Sequence, residues 1–262
     1  MKPFIKWQGG KRRELPHIRP FIPDGIPIIA EPFCGGCAVA FDNEGIALLN
    51  DTNARLMNLY SAVSNKQMFD RLMEDIAILK QSTTEELEKR YYDARSYINS
   101  HPDLEDTYLS ALAFLILRQQ SFSGMERYNS RGEFNVPWGR YKKFSCCLDE
   151  SHHRFLKAAT LFNSDALTFL DNLPAETFVF VDPPYLERAG YEKKDGGFDL
   201  HAGLAAKLMD LQLPFLLIHS DHEFYRHTYR DFKITEVPFK YAQQFNRGNY
   251  DANVCHLYIT NT

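Results

Sequence analysis

The chain has 262 residues, of which 44% are hydrophobic and 24% are charged. These fractions are ordinary for a globular domain and exclude disordered, collagen-like and fibrous chains. The longest apolar runs, 113–117 and 215–218, are far shorter than the roughly 20 residues of a membrane-spanning helix, so we expect no membrane partner. The five cysteines form no regular disulfide framework and the amino terminus has no apolar signal core, so we expect a cytoplasmic protein.

Short apolar runs separated by turn residues predict a mixed sheet in two parts of the chain. Near the amino terminus the order is strand, glycine loop, helix, strand, helix, at 26–31, 32–37, 38–41, 46–49 and 56–63. Further strands are predicted at 177–181, 214–219 and 254–259. This alternation is typical of an α/β fold.

The middle of the chain has a different pattern. Long helical periodicity covers 66–117, and the stretch 118–145 is polar, basic and aromatic, which indicates loops or a hairpin. We therefore expect an α/β core from residues 1–60 plus 160–262, with a helical, partly basic insert over 61–159.

The formal net charge of −4 argues weakly against a nucleic-acid partner, but the charges are unevenly distributed. Residues 1–19 carry six basic side chains against one acidic, and residues 118–143 carry six against two. The acidic excess lies in 74–106. Separated patches of this kind can give an acidic protein one basic face, although charge runs are commonly only solvated surfaces.

Acidic residues follow three of the predicted strands. Glu31, Asp51 and Asp182 stand at strand ends, where open α/β sheets bind their ligands. Asp51 lies 16 residues after Gly35, near the spacing at which an acid binds ribose hydroxyls in nucleoside-binding folds. A glycine loop followed by an aspartate is a weak signal by itself, and a packing turn is the commoner explanation of such a loop.

The tetrapeptide Asp182-Pro183-Pro184-Tyr185 follows the β-prone run FVFV. A carboxylate at a strand end can accept a hydrogen from an amine, and an aromatic ring offers a face on which a planar base can stack. The two prolines stiffen the loop, which leaves backbone carbonyls free to point into a site. The pattern favours binding of a flat ring through its exocyclic amine.

Five segments together resemble the Dam-type, or alpha-group, DNA adenine methyltransferases. They are FIKWQGGKRRELPHI at 4–18, EPFCGGCAV at 31–39, LLNDTNARLMNLY at 48–60, RYNSRGEFNVPWGRYKK at 127–143 and FVFVDPPYL at 178–186. They occur in the order that this family uses, and the resemblance spans nearly the whole chain. It implies a Rossmann-like S-adenosylmethionine-dependent methyltransferase core with a helical and hairpin target-recognition insert.

The resemblance also implies a cofactor site for S-adenosylmethionine, which would leave as S-adenosylhomocysteine. Trp7 would lie against the cofactor, Lys11 would hold its methionine end, and Asp51 would bind the ribose hydroxyls. The other residues that the resemblance implies for the cofactor site are Glu31, Phe33, Gly35, Asp165, Ala166 and Asp182.

The implied reaction is transfer of the methyl group to the exocyclic amine of an adenine flipped out of duplex DNA. Asp182 and the carbonyl of Pro183 would hold the amine hydrogens, and Tyr185 would stack on the flipped ring. Because the sulfonium already activates the methyl group, we expect no metal. The pairs Cys34/Cys37 and Cys146/Cys147 and the nine histidines lack the spacing of a metal site, so we interpret them as ordinary residues.

The insert would read the DNA, with GATC as the site expected from the family. Arg127 aligns with an arginine that contacts guanine, and Phe122 aligns with an aromatic wedge. Lys6 aligns with a contact to the outer base pair. The other implied DNA-binding residues are Met125 and Pro137 at a thymine methyl, Ser123 beside the wedge, and Arg140, with Lys142 and Lys143, at phosphates.

Four positions depart from the family pattern. Cys37 stands where the second loop glycine usually falls, and Ser123 stands where asparagine is common. Arg118 replaces a commoner asparagine. Asp221, in HSDHE at 219–223, replaces the asparagine of a family SNH element and would add a negative charge near the expected site.

Two alternatives remain open at this stage. The same chemistry could act on another DNA site, on cytosine or on RNA, because this tetrapeptide suits several planar amines. A regulator that binds DNA without catalysis is the second, although intact Asp182 and Tyr185 disfavour it. For the favoured interpretation we expect a monomer that binds double-stranded DNA in the cytoplasm of a bacterial or phage-infected cell, associated with the nucleoid.

Overall fold

A computed structural model describes residues 1–103, 108–186, 197–240 and 253–262. Within these residues one sheet contains seven strands, with the order β3-β2-β1-β4-β5-β7-β6. The strands are β1 (Ile28–Glu31), β2 (Ile46–Asn50), β3 (Thr160–Phe162), β4 (Thr177–Val181), β5 (Phe215–Ser220), β6 (Lys233–Lys240) and β7 (Asn253–Thr260).

Strand direction identifies the fold class. β3, β2, β1, β4 and β5 pair in parallel, and β7 is antiparallel to both β5 and β6. This is the arrangement of the Rossmann-like methyltransferase core, so the predicted fold class is confirmed. The chain passes from β1 outward to β2 and later returns to place β4 on the other side of β1, which opens a crevice at the carboxyl ends of β1 and β4.

The helices of the described residues vary from one turn to more than four. They are α1 (Leu15–Ile18), α2 (Ala54–Ser64), α3 (Lys66–Gln81), α4 (Thr84–Ser100), α5 (Tyr108–Gln120), α6 (Glu150–Ala158), α7 (Ala166–Leu170), α8 (Gly197–Asp210) and α9 (Glu223–Thr228). None of these helices is both long and apolar enough to cross a membrane.

Local sequence explains where several helices begin. The side chains of Asn53 and Asn65 accept hydrogen bonds from the first turns of α2 and α3. Thr83 and Glu86 form a reciprocal capping box at the start of α4, and Asp149 caps α6. These short polar side chains satisfy amide groups that have no partner within the helix.

Alternation along the central strands divides the core between the two faces of the sheet. In β4, Phe178 and Phe180 pack into the cluster that holds α2 to α6, whereas Val179 and Val181 pack with α8 and α9. Side chains on a strand point alternately to opposite faces, so a continuous apolar run here means a strand buried on both sides.

Two expectations about the elements were wrong. The helix expected from 38–41 is only a short 3-10 helix, Ala40–Asp42. Strand β6 was missed because KITEVPFK carries charged residues and Pro238; it pairs only with β7, at the sheet edge, where a proline is tolerated. The division into core and insert stays a prediction.

Candidate active site

Lys11 and Asp182 form an ion pair at the carboxyl end of β4. The ammonium of Lys11 lies 2.6 Å from each carboxylate oxygen of Asp182, and it also donates to the Gly9 carbonyl at 3.1 Å. The Lys11 side chain is only 4% exposed, whereas Asp182 is 18% exposed. Burial raises the pKa of Asp182 above that of an ordinary aspartate, and the positive charge of Lys11 opposes this rise.

A second buried acid lies behind this pair. Glu14 accepts hydrogen bonds from the Nδ1 atom of His256, at 2.7 Å, and from the hydroxyl of Tyr258, at 3.1 Å, both on β7. Burial would raise the pKa of Glu14, but His256, Lys11 and Tyr258 together lower it below the usual value. The charge of Lys11 therefore acts on both carboxylates, and these interactions favour the charged form of Glu14 within the core.

The segment after β1 folds back tightly on Trp7. Gly35 has a left-handed φ of +44°, and a β-carbon placed on it would collide with the Trp7 indole. The Tyr60 hydroxyl donates to the Gly35 carbonyl at 2.5 Å, and Glu31 accepts from the Ala40 amide at 2.5 Å. Glu31 is thus a structural acceptor inside the loop, and its burial there raises its pKa to about 8.

Asp51 joins two loops at the adjacent strand end. Its two carboxylate oxygens accept from the amide of Gly35 at 3.0 Å and from the amide of Asn53 at 2.9 Å. The side chain is half-buried. The 16-residue spacing noted in the sequence therefore corresponds to a direct contact between the glycine loop and the strand-end acid.

Asp165 and Ala166 begin α7 on the next loop. Asp165 is exposed and caps the helix by accepting from the amides of Leu167 and Thr168, at 2.9 and 3.3 Å, while Ala166 is buried. Phe33 is half-buried in the loop after β1. The loops that follow β1, β2, β3 and β4 thus present the expected cofactor residues along one edge of the sheet.

Tyr185 packs against two histidine rings beside the ion pair. Its ring centre lies 4.7 Å from that of His219 and 5.6 Å from that of His256. The Lys11 ammonium is 5.3 Å from the ring centre. Tyr185 is 9% exposed and Pro183 is buried, whereas Asp182 and Pro184 are partly exposed.

The stretch after α5 forms a hairpin-like loop, as expected. Isolated bridges pair Ser121 with Trp138 and Tyr128 with Phe134. Arg127 is exposed and donates to Asn135 twice, from Nε to the side-chain oxygen at 2.7 Å and from Nη2 to the carbonyl at 3.2 Å. These contacts fix one edge of the guanidinium and leave its Nη1 side facing outward.

The other expected DNA contacts surround this loop. Phe122 is 46% exposed, Pro137 and Arg140 are exposed, and Met125 and Ser123 are half-buried. Lys6 is held inward: its ammonium donates to the Gln119 carbonyl at 2.6 Å and lies 3.7 Å from the centre of the Tyr141 ring.

Comparison with known proteins identifies the family. A family model described as D12 class N6 adenine-specific DNA methyltransferase matches residues 7–243. That span contains Trp7, Lys11, the glycine loop, Asp51 and the DPPY tetrapeptide. The chain belongs to this family.

Curated relatives of this D12-class methyltransferase match along most of their own length. The type II methyltransferase M.CviBI of Paramecium bursaria Chlorella virus NC1A is 32% identical, with all of both chains covered. M.MjaIII of Methanocaldococcus jannaschii is 31% identical over 92% of both chains. The DNA adenine methylase of Escherichia coli K12 is 30% identical over 94% of this chain and 90% of its own.

Arg118, noted only as a departure from the family pattern, lies near the end of α5 and contacts four other residues of this methyltransferase. It is 1% exposed, donates to the carbonyls of Lys6 and Gly124 and to the carboxylate of Glu126, and lies 4.7 Å from the Trp7 ring centre. The Lys6 and Gly124 contacts are 2.8 and 3.1 Å long, and the Glu126 contact is 2.8 Å long.

Glu126 continues this link toward the cofactor side. It accepts from the side-chain amide of Asn53 at 3.1 Å and from the hydroxyl of Tyr128 at 2.8 Å. Arg118 and Glu126 therefore connect three parts of the chain: the hairpin-like loop after α5, the segment around Trp7 and the cap of α2. Only their opposite charges, eight positions apart, could have suggested the pair from the sequence.

Asn50 is a second residue that sequence reasoning missed. It is fully buried at the end of β2, and its side-chain amide donates to the carbonyls of Pro32 and Ser164 at 3.0 Å each. Its oxygen accepts from the Ser164 amide at 2.9 Å. Asn50 thereby fixes the loop after β1 against the loop that carries Asp165.

The sequence departures have specific structural outcomes. Cys37 is fully buried and adopts a φ of +54°, so the left-handed conformation expected of the missing glycine is kept by a cysteine. Asp221 is exposed and forms a two-pronged ion pair with Arg226 at 2.6 and 2.8 Å, which neutralises its charge at the surface. Among the described residues, no three His, Cys, Asp or Glu side chains are placed to hold a metal ion.

Proposed function

We propose that this methyltransferase uses S-adenosylmethionine to methylate the exocyclic amine of an adenine flipped out of duplex DNA, and that its recognition sequence is GATC. The observation that carries the proposal is the placement of Asp182. Its partly exposed carboxylate stands at the crevice between β1 and β4, beside the loop that contains Gly35 and next to Tyr185.

The residues around the crevice fit the proposed cofactor. Asp51 already accepts two amides, and its remaining lone pairs suit ribose hydroxyls. Trp7 and Phe33 offer apolar surface, Asp165 and Ala166 would lie near the cofactor adenine, and Glu31 supports the loop through Ala40. When bound, S-adenosylmethionine supplies a methyl group that its sulfonium has already activated.

Asp182 would act on the target amine by position and by charge. The amine lone pair of adenine is delocalised into the ring, so the nitrogen is a poor nucleophile. Asp182 and the Pro183 carbonyl would accept its two hydrogens and aim the lone pair at the methyl group, which lowers the entropic part of the barrier. The negative charge of Asp182 also stabilises the positive charge that develops on the attacking nitrogen.

A change of partner by Lys11 would favour this reaction. Each oxygen of Asp182 accepts from the Lys11 ammonium and keeps a further lone pair for the amine, but the nearby ammonium opposes the positive charge that develops on the attacking nitrogen. The methionine carboxylate is an anion that can replace Asp182 as a partner of Lys11. Binding of the cofactor would then free the catalytic carboxylate while the buried ammonium stays neutralised.

The recognition loop supports DNA as the substrate. Because a paired adenine is inaccessible, the base must leave the stack, and the exposed Phe122 suits a wedge that fills the gap. Arg127 is oriented by Asn135 for a guanine edge. Met125 and Pro137 would contact a thymine methyl, Lys6 the outer pair, Ser123 the region of the wedge, and Arg140 phosphates.

Transfer of labelled methyl from S-adenosylmethionine to duplex oligonucleotides tests the proposal. The substrates contain GATC, GATC with one base changed at a time, or no GATC. Label on the adenine of GATC alone is the expected result. Label on adenine in another context would overturn the proposed recognition sequence, and label on cytosine or on RNA only would overturn the proposed substrate.

Asp182→Ala separates catalysis from DNA binding in the same assay. We expect a loss of turnover of at least about 100-fold, as is typical when a charge-stabilising group is removed, with DNA affinity largely kept. Asp221→Ala, which removes an exposed acid paired with Arg226, is the matched control and should transfer methyl normally. A wild type that binds DNA without any transfer would instead support a non-catalytic regulator.

A further inference from the structure

A buried histidine contacts the backbone next to Tyr185. His219, on β5, accepts a hydrogen bond at its Nε2 atom from the Leu186 amide at 3.1 Å. A second buried histidine, His201 on α8, packs against His219 with ring centres 5.5 Å apart. The peptide group that follows Tyr185 is therefore held by a side chain from another element.

The hydrogen bond from Leu186 fixes the tautomer of the His219 ring. Since the Leu186 amide can only donate, Nε2 of His219 must be unprotonated, and its Nδ1 proton points to the Ser220 carbonyl 2.8 Å away. This arrangement requires a neutral imidazole.

Packing holds the His219 ring in this state, and His201 is buried beside it. His219 is fully buried and His201 is 4% exposed. The His219 ring stacks on Tyr225 with centres 3.9 Å apart, and it lies 4.7 Å from the Tyr185 ring centre. Burial lowers the pKa of His219 to about 3 and that of His201 to about 4, so neither ring is charged near neutral pH.

We propose that His219 is a positioning residue that clamps the backbone after Tyr185 so that the Tyr185 ring is held ready for the flipped base. The inference rests on the proposed function for the role of Tyr185. The contact with the Leu186 amide does not use the Pro183 carbonyl, which the proposed reaction assigns to the amine. The clamp thus orders the loop without occupying a group that meets the substrate.

Two variants of similar polarity separate the hydrogen bond from packing. The amide of His219→Gln ends where the Nε2 atom stood, so it can accept from Leu186. The amide of His219→Asn ends one bond earlier, near the Nδ1 position, and cannot. Both replace an aromatic ring by a smaller neutral amide, so loss of stacking on Tyr225 is common to the pair.

Exchange of the Leu186 amide proton in the cofactor-free full chain gives a readout that needs no activity. We expect exchange to become at least about 10-fold faster in His219→Asn and to stay close to the wild-type rate in His219→Gln. Equal exchange rates in the two variants would overturn the clamp, whether or not the wild type methylates DNA.

Steady-state kinetics on duplex DNA then tests positioning. We expect kcat to fall about 10- to 100-fold in His219→Asn, with KM for S-adenosylmethionine and DNA affinity changed by less than about twofold, and kcat to recover in His219→Gln. Faster exchange with unchanged kcat would overturn the positioning role. Absence of transfer by the wild type would contradict the proposed function instead.

Discussion

The ammonium of Lys11 lies 2.6 Å from both carboxylate oxygens of Asp182, although 171 residues separate them along the chain. The pair joins the amino-terminal segment to the end of β4, and the positive charge of Lys11 opposes the rise in the pKa of Asp182 that burial causes. Both oxygens of the proposed catalytic carboxylate accept from this one ammonium. The proposed reaction is therefore favoured when Lys11 takes an anionic group of the cofactor as its partner instead.

Lys11→Met should move the acid limb of the activity profile to higher pH. Burial raises the pKa of Asp182 and Lys11 opposes this, so removing the cation leaves the pKa higher. Since the proposed reaction needs charged Asp182, activity should then be lost at a higher pH than in the wild type. The pH dependence of kcat/KM measures this. Lys11→Arg keeps the charge, and a shift as large in this control would contradict the electrostatic explanation.

Gly35→Ala should weaken cofactor binding and lower stability together. The substitution puts a side chain into a left-handed conformation, which costs about 1–2 kcal/mol, and its β-carbon would collide with Trp7. Gly25→Ala is the matched control, because Gly25 has a φ of +72° but nothing within 4 Å of the added carbon. Denaturant unfolding and calorimetric titration with S-adenosylhomocysteine test both effects; a similar loss of affinity in the control would contradict the role of Trp7.

Arg127→Ala should relax DNA specificity at one base pair. A bidentate arginine–guanine contact discriminates by about 1–3 kcal/mol, so the preference for the cognate base should fall about 10- to 100-fold. Competition binding with single-base variants of the site measures the preference. Arg140→Ala should instead weaken binding to all sequences equally and reduce the slope of affinity with salt by about one unit. Equal behaviour of the two variants would contradict the division of roles.

Arg118→Met should be strongly destabilising, because it removes a buried cation that pairs with the half-buried Glu126 and leaves the carbonyls of Lys6 and Gly124 without this donor. Breaking a buried ion pair costs about 3–5 kcal/mol. Adding Glu126→Gln should recover part of this loss, so the two changes should not be additive in denaturant unfolding. The exposed pair Lys89–Asp93 on α4 is the control, where Lys89→Met should cost less than about 1 kcal/mol. Additive effects at 118 and 126 would show that the pair is not coupled.

The sequence by itself determined the parts of this protein that depend on local pattern. The run FVFV before Asp182 identified β4 to the residue, and the acids at 31, 51 and 182 were correctly expected at strand ends. Alternation, turn residues and motif order carry this information because each is encoded within a few neighbouring positions. The sequence did not predict strand β6, because it contains a proline and charged residues. These are tolerated there because β6 lies at the edge of the sheet, with a neighbouring strand on one side only.

Only the tertiary structure decided which of these residues meet. Three contacts illustrate this: Lys11 with Asp182, Arg118 with Glu126, and His219 with Leu186. Each joins two different elements or loops of the fold. A residue's period along the chain indicates the face on which it lies, but the partner depends on strand order across the sheet. Because buried charges and polar groups are stable only when paired, these contacts follow from how the layers pack, which no single segment encodes.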